Sequence, residues 1–260
     1  MSEEVNEIVI EKEIPLFGEG DSLETRLRKV SLRGFPQVNI YHDANFELIH
    51  LTSEDVVQKL YTPQPTVYKT HLEKVNRLAK LFTEKGVDIF NLDKAYDYIA
   101  TASDGIKTSW TMLPPIVEQW EIPRHPNGGF DYSNLIGETL SQSLRGQKLS
   151  INPKILEFPH TNQSGIFDLI NDGSHRIHAG FEKAGIKVLR IKGMTPGYPY
   201  YAIPQPYSTV IIVPQRDEVA IDTKIHVIES PGHKQLYRLF PSGGIMSGNV
   251  RTLKVEEKAL

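Results

Sequence analysis

Five consecutive residues, Asp172-Gly173-Ser174-His175-Arg176, put a carboxylate, a flexible glycine, a hydroxyl, an imidazole and a guanidinium into one turn. Apolar residues precede them (Ile166-Phe167-Asp168-Leu169-Ile170) and a helix-compatible run follows from Ser174 to Ala184, with Ile177, Phe181 and Ala184 on one face. A strand that feeds a tight turn and opens a helix leaves the first helical N–H groups without internal acceptors. The helix dipole adds partial positive charge at the same end. Gly173 allows close approach to the backbone, Ser174 offers a hydroxyl, and Arg176 offers a planar fork of donors. This chemistry suits an anion, and nucleotide phosphates in particular. Asp172 has two possible roles, as a ligand to a divalent metal or as proton acceptor for an attacking hydroxyl. The same residues also make an ordinary turn and helix cap. His175 and His178 lie three apart, which fits either a loose metal pair or two packed histidines.

The elements around this unit follow from patterning. A strand over 187–191 comes after Gly185. Upstream, Leu72, Val75, Leu78, Ala79 and Phe82 repeat every three to four residues, which predicts a helix opened by Thr70 and Glu73 and stopped by Gly86. A second helix is expected over 91–102 on Leu92, Ala95, Tyr96 and Ile99, and a capped helix starts at Thr52-Ser53. Residues 38–51 read as two short strands around Asp43-Ala44-Asn45, and 112–120 as an edge or first strand after Pro114-Pro115. The first 35 or so residues read as an extended arm whose basic part either touches phosphate or is a solvated tail or domain-packing arm. Expected elements at 134–144, 155–158, 209–213 and 219–228 complete the pass. A Pro- and Tyr-rich loop over 192–206 either stacks a base or packs on the sheet, and 236–248 reads as a Gly-rich hairpin.

Composition narrows the classes. The 260 residues carry 29 Lys+Arg against 32 Asp+Glu, a formal net charge of −3, and no cysteine. Thiolate chemistry, disulfides and zinc–cysteine sites are therefore excluded. A strong non-specific grip on DNA, which takes a basic domain, is disfavoured. No apolar run approaches the ~20 residues of a membrane span, and the acidic N-terminus does not resemble a secretory signal, so a cytoplasmic protein is expected. No feature sets an oligomeric state.

The block LINDGSHRIHAGFEKAGIKVLRI, with Pro114-Pro115-Ile116-Val117 upstream, resembles the signature of the ParB/sulfiredoxin-like superfamily. The likeness covers about 112–193. It implies an α+β fold: a small mixed-sheet core over 111–195, a helical N-terminal elaboration over 1–110 and a β-rich C-terminal extension over 196–260. In sulfiredoxins the residue between Gly and His is a reactive cysteine; Ser174 stands there, so that redox step is excluded while phosphate contacts by Gly173, His175 and Arg176 survive. The superfamily's free-serine kinases carry a similar motif, which implies an ATP- and Mg²⁺-dependent phosphotransferase, with Gly173, Ser174, His175 and Arg176 on the nucleotide and Asp172 and His175 in catalysis. The base is then an acidic residue elsewhere, with Glu118 and Glu121 as candidates. The acceptor is a small metabolite, a nucleoside or a modified DNA base. Chromosome-partitioning ParB proteins bind CTP through an Arg-rich motif and continue into a helix-turn-helix; this chain has one Arg in the motif and continues into strands. The D-G-Q-H-R proteins of DNA modification are also similar, with Ser174 in place of Gln. Two alternatives to the kinase follow, a nucleotide-binding regulator of DNA transactions without turnover and a ParB-like nuclease.

Overall fold

A computed structural model of the chain describes residues 5–32, 35–39, 41–62, 66–121, 166–193 and 205–214. The fold is α+β. The central sheet combines β4 (Asn45–Leu51), β5 (Leu60–Thr62), β9 (Ile116–Glu121), β10 (Ile166–Asp172), β11 (Ile186–Lys192) and β12 (Gln205–Pro206) in the order β12-β5-β10-β9-β11-β4. It is mixed: β10 runs antiparallel to β9 and parallel to β5, while β9 and β11 are parallel. Its strands come from all three expected segments of the chain. A second sheet orders β1 (Val5–Pro15), β7 (Lys94–Ala102) and β8 (Lys107–Met112) as β1-β7-β8. Short pairs join β2 (Ser31–Leu32) to β3 (Phe35–Asn39) and β6 (Thr66–Tyr68) to β13 (Ile211–Val213).

The helices follow their local signals closely. In α2 (Ser53–Gln58) the Asp55 carboxylate accepts from the Thr52 amide at 2.8 Å, completing the capping box. Helix α3 (Lys69–Thr83) buries Leu72, Val75, Leu78, Ala79 and Phe82, the periodic face. It starts one residue before the expected cap, with Tyr68 as N-cap and no side-chain cap bond. Gly86, at φ +77°, follows its end. Helix α4 (Ser174–Phe181) buries Ile177, leaves Phe181 partly covered and ends before the exposed Ala184.

Two expectations need correction, and one open reading is decided. The helix over 91–102 is strand β7. Leu92, Ala95, Tyr96 and Ile99 match a helical stripe, but Tyr96, Tyr98 and Ala100 match a pleat equally well and are buried together in one cluster, while Ala95 is buried in the other. Tertiary pairing with β1 on one side and β8 on the other decides the ambiguity, and aromatic side chains suit the pleat. The N-terminal arm takes its domain-packing reading: β1 pairs with β7 along its length, and Ile8, Ile14, Leu23 and Leu27 are core residues. The last two are the first and last residues of α1 (Leu23–Leu27), which Ser22 caps by accepting the Thr25 amide at 3.2 Å. Strand β9 is interior, between β10 and β11. The Pro pair sits before the strand, where no ladder amide is lost. Expected features at 124–136, 134–144, 155–158, 194–204, 219–228 and 236–248 lie outside the described residues.

Two apolar clusters sandwich the central sheet. Val117, Ile170, Val188 and Leu51 point to the one that includes α3 and Ile177 of α4. Ile116, Leu189 and Ile191 point to the other, which includes α1 and Tyr41.

Candidate functional site

The turn between β10 and α4 is built by backbone demands. At the end of β10, Ile170 pairs with Val117 and Asp172 with Ile116, so Asn171 is the extra residue of a β-bulge. Gly173 follows at φ +86°, a left-handed conformation that side chains oppose. A Cβ there would lie 2.7 Å from the Pro115 Cβ and 3.1 Å from an Arg176 nitrogen. Close approach at Gly173 is thus made by Pro115 and by the protein's own guanidinium.

Arg176 and Asp172 form a buried ion pair one helical turn apart, with Nη2 3.0 Å from Oδ2 and both side chains 3% exposed. Arg176 Nη1 also donates to the Leu113 carbonyl and lies 3.4 Å from the Met112 sulfur. Asp172 further accepts the Gly173 amide. Burial pushes the Asp172 carboxyl up and the Arg176 guanidinium down from their usual ranges, each opposed by the charge of its partner. Both groups are committed within the protein, and Asp172 is not free as a metal ligand in this arrangement.

His175 is packed rather than poised. Its Nε2 accepts the Tyr68 amide at 3.1 Å, its ring stacks on Tyr68 with centroids 5.7 Å apart, and the His71 ring meets it edge-on at 4.8 Å. Burial, with His71 and His178 nearby, pushes its pKa down to about 3, so the ring is neutral at physiological pH. His178 lies with Nδ1 3.3 Å from the Tyr207 hydroxyl, and burial lowers its pKa too. Tyr207 donates to the Ser174 carbonyl at 3.3 Å. The two histidines thus serve different partners. No group of three or more His, Asp or Glu side chains suited to a metal occurs among the described residues.

The start of α4 is buried, and its first donors are what the turn leaves unpaired within the helix. The first ladder bond of the helix runs from the Ile177 amide to the Gly173 carbonyl at 2.9 Å. The amides of Ser174, His175 and Arg176 precede it and have no acceptor within the helix. Gly173 is the N-cap and supplies no side-chain acceptor. Ser174, 7% exposed, has a buried Oγ with no hydrogen-bond partner among the described residues.

The acidic candidates lie elsewhere. Glu118 is fully buried in β9, three residues along the ladder from Asp172. Its Oε1 accepts from the Tyr41 hydroxyl and from Asn171 Nδ2 at 3.2 Å, and its Oε2 from Trp120 Nε1 at 3.1 Å. Tyr41 belongs to the α1-side cluster, so Glu118 faces away from α4. Glu121 pairs with Ile166, at the opposite end of β10 from Asp172, about 20 Å away at the usual strand rise. The structure therefore groups Asp172 through Arg176 and separates Glu118 and Glu121 from them. Sequence reasoning missed His71, Tyr68, Tyr207 and Tyr41, which come from distant segments and leave no local signal. The Asp172–Arg176 pair did leave one, since i,i+4 charges of opposite sign meet on a helix face.

An α+β fold whose interior strand ends in a bulged, glycine-capped turn at a helix start defines the class. A family model described as the ParB CE domain matches residues 22–129 and 119–212, which together span most of the chain, and the protein belongs to that family. No curated protein and no solved structure matches it. No helix among the described residues is long and apolar enough to cross a membrane.

Proposed function

We propose that this ParB-family chain binds the phosphates of a nucleoside triphosphate at the start of α4 and, so loaded, acts in DNA transactions. The observation that carries the reading is Ser174, whose buried hydroxyl lacks a partner among the described residues beside three amides that lack helical acceptors. A buried polar atom left unpaired costs about 1–3 kcal/mol, and a phosphate oxygen would relieve it. Gly173, Ser174 and the backbone of His175 and Arg176 are the proposed phosphate holders, with ATP and Mg²⁺ as the first ligand to try. The metal would arrive on the triphosphate, because Asp172 is held by Arg176 and by the Gly173 amide.

Titration with Mg-ATP, Mg-CTP and Mg-GTP tests the binding. A ligand at a hundred times its Kd raises stability by about 2.7 kcal/mol. Ser174→Ala should cancel that gain, and no stabilisation by any of the three at millimolar concentration overturns the reading. The DNA role predicts nucleotide-dependent binding whose affinity falls steeply with salt.

Phosphoryl transfer to a hydroxyl of a small metabolite, nucleoside or modified base is the second reading. It is favoured by one observation, a buried carboxyl, Asp172, two residues from the Ser174 hydroxyl at the same turn; burial pushes that carboxyl up, the direction a general base needs. It requires the pair with Arg176 to open. ATP consumption that depends on an acceptor and disappears in Asp172→Asn supports it; binding without acceptor-dependent turnover eliminates it.

A further inference from the structure

A second unusual place lies on the same face of the central sheet, nearer the start of β10. Asp168 of β10 stands opposite Gln119 of β9, and Arg190 of β11 stands opposite Glu47 of β4. The side chains meet in a row across the strands. Arg190 Nη2 lies 2.6 Å from Asp168 Oδ2 and Nη1 lies 3.1 Å from Glu47 Oε1, while Lys192 Nζ lies 2.6 Å from the same Glu47 oxygen. The next row on this face, Val117, Ile170 and Val188, is apolar core. At the covered Asp168–Arg190 end of the row, valine or leucine would hold the sheet face at least as well, because desolvation offsets most of the attraction within such a pair.

Two atoms in the row are unsatisfied among the described residues. Asp168, 3% exposed, has a buried Oδ1 and Arg190 a buried Nε with no well-formed hydrogen bond there, although Gln119 lies close enough to act on the Asp168 carboxylate. One is an acceptor, the other a donor, and both belong to one ion pair. Within the row the charges offset each other, Arg190 by Asp168 and Glu47 and Lys192 by Glu47, while the exposed Lys59 adds to the field on Asp168 from outside it. An ionic ligand would upset that balance. A neutral group carrying one N–H donor beside one acceptor would satisfy both atoms and leave it intact. The hydrogen-bonding edge of a nucleobase is such a group: the amino group and ring nitrogen of adenine or cytosine, or the N–H and carbonyl of guanine.

We infer that the Asp168–Arg190 pair is a nucleobase-reading site, separate from the start of α4 and independent of whether phosphate binds there. Asp168 accepts from the base and the Arg190 Nε donates to it, while Glu47 and Lys192 hold the guanidinium flat. The base comes either as a free nucleoside or as an unstacked base in a single strand.

Equilibrium binding of adenosine, guanosine, cytidine and uridine to the full chain, with ribose alone as control, tests this. At least one nucleoside should bind saturably below millimolar concentration and ribose should not. Arg190→Lys, which keeps the charge and removes the Nε donor, should weaken that binding tenfold or more. Should that variant fail to fold, Asp168→Asn, which keeps an oxygen but breaks the charged pair, should show the same loss. Ser174→Ala should leave nucleoside affinity unchanged, which separates this site from the phosphate site. A short single-stranded oligonucleotide that competes with the nucleoside identifies the strand as a source of the base, and one that does not identifies the free nucleoside. Absence of saturable binding by all four nucleosides, or loss of binding in Ser174→Ala, overturns the inference.

Discussion

Replacing Arg176 with Ala distinguishes a guanidinium held for structure from one held in reserve for ligand. The substitution removes a fully buried cation and leaves the Asp172 carboxylate, 3% exposed, with the Gly173 amide as its remaining partner among the described residues. Breaking a buried pair from one side costs about 3–5 kcal/mol, because a charge is left without compensation in a poorly polarisable interior. The Leu113 carbonyl loses its donor as well. For a chain of this size each kcal/mol moves Tm by about 2–4 °C, so a fall of about 6–20 °C is expected. Thermal unfolding at neutral pH measures it. The double variant Asp172→Leu, Arg176→Met should recover much of the loss, since an apolar pair of similar volume is often no less stable than the ionic one. A shift within about 1 kcal/mol for Arg176→Ala would refute the reasoning, showing that the pair contributes little and that the guanidinium is available to ligand.

Three more outcomes follow from the same geometry. Gly173→Ala should destabilise by about 1–3 kcal/mol, measured by chemical denaturation, because it forces a side chain into a left-handed backbone and against Pro115. Acid should weaken the fold through His175: its folded pKa of about 3 lies below the unfolded value near 6.5, so its contribution is full above pH 6.5 and erodes as pH falls from there toward 3. Between pH 6.5 and 5 the erosion is on the order of 1–2 kcal/mol, and His175→Gln should flatten that part of the stability–pH curve. Glu118→Ala should lower Tm without changing triphosphate affinity, because it strips an acceptor from Tyr41, Asn171 and Trp120 on the face away from α4; an unpaired buried donor costs about 1–3 kcal/mol.

Much of the scaffold was legible where one local signal stood unopposed. The apolar stripe of α3, the capping box of α2 and the β10–turn–α4–β11 run all took the form their patterns predicted. Strand β7 was not legible, since its apolar residues fit both periods and only its neighbours β1 and β8 select the pleat. The arm hid its role for a related reason: Ile8 and Ile14 are core residues only because β7 lies beside them. At the site, residue types indicated chemistry but not availability. Asp172 and Arg176 looked like metal and phosphate ligands, and burial turned them toward each other. Their i,i+4 spacing carried that information, while the packing of His175 against Tyr68 and His71 rests on contacts about a hundred residues apart in the chain.

The most direct measurement is the backbone amide NMR spectrum of the full chain during titration with inorganic triphosphate. Phosphate binding at the start of α4 predicts saturable downfield shifts of the Ser174, His175 and Arg176 amides, absent in Ser174→Ala. Amide signals that stay in place while triphosphate reaches millimolar concentration, or shifts confined to residues remote from α4, would contradict the account.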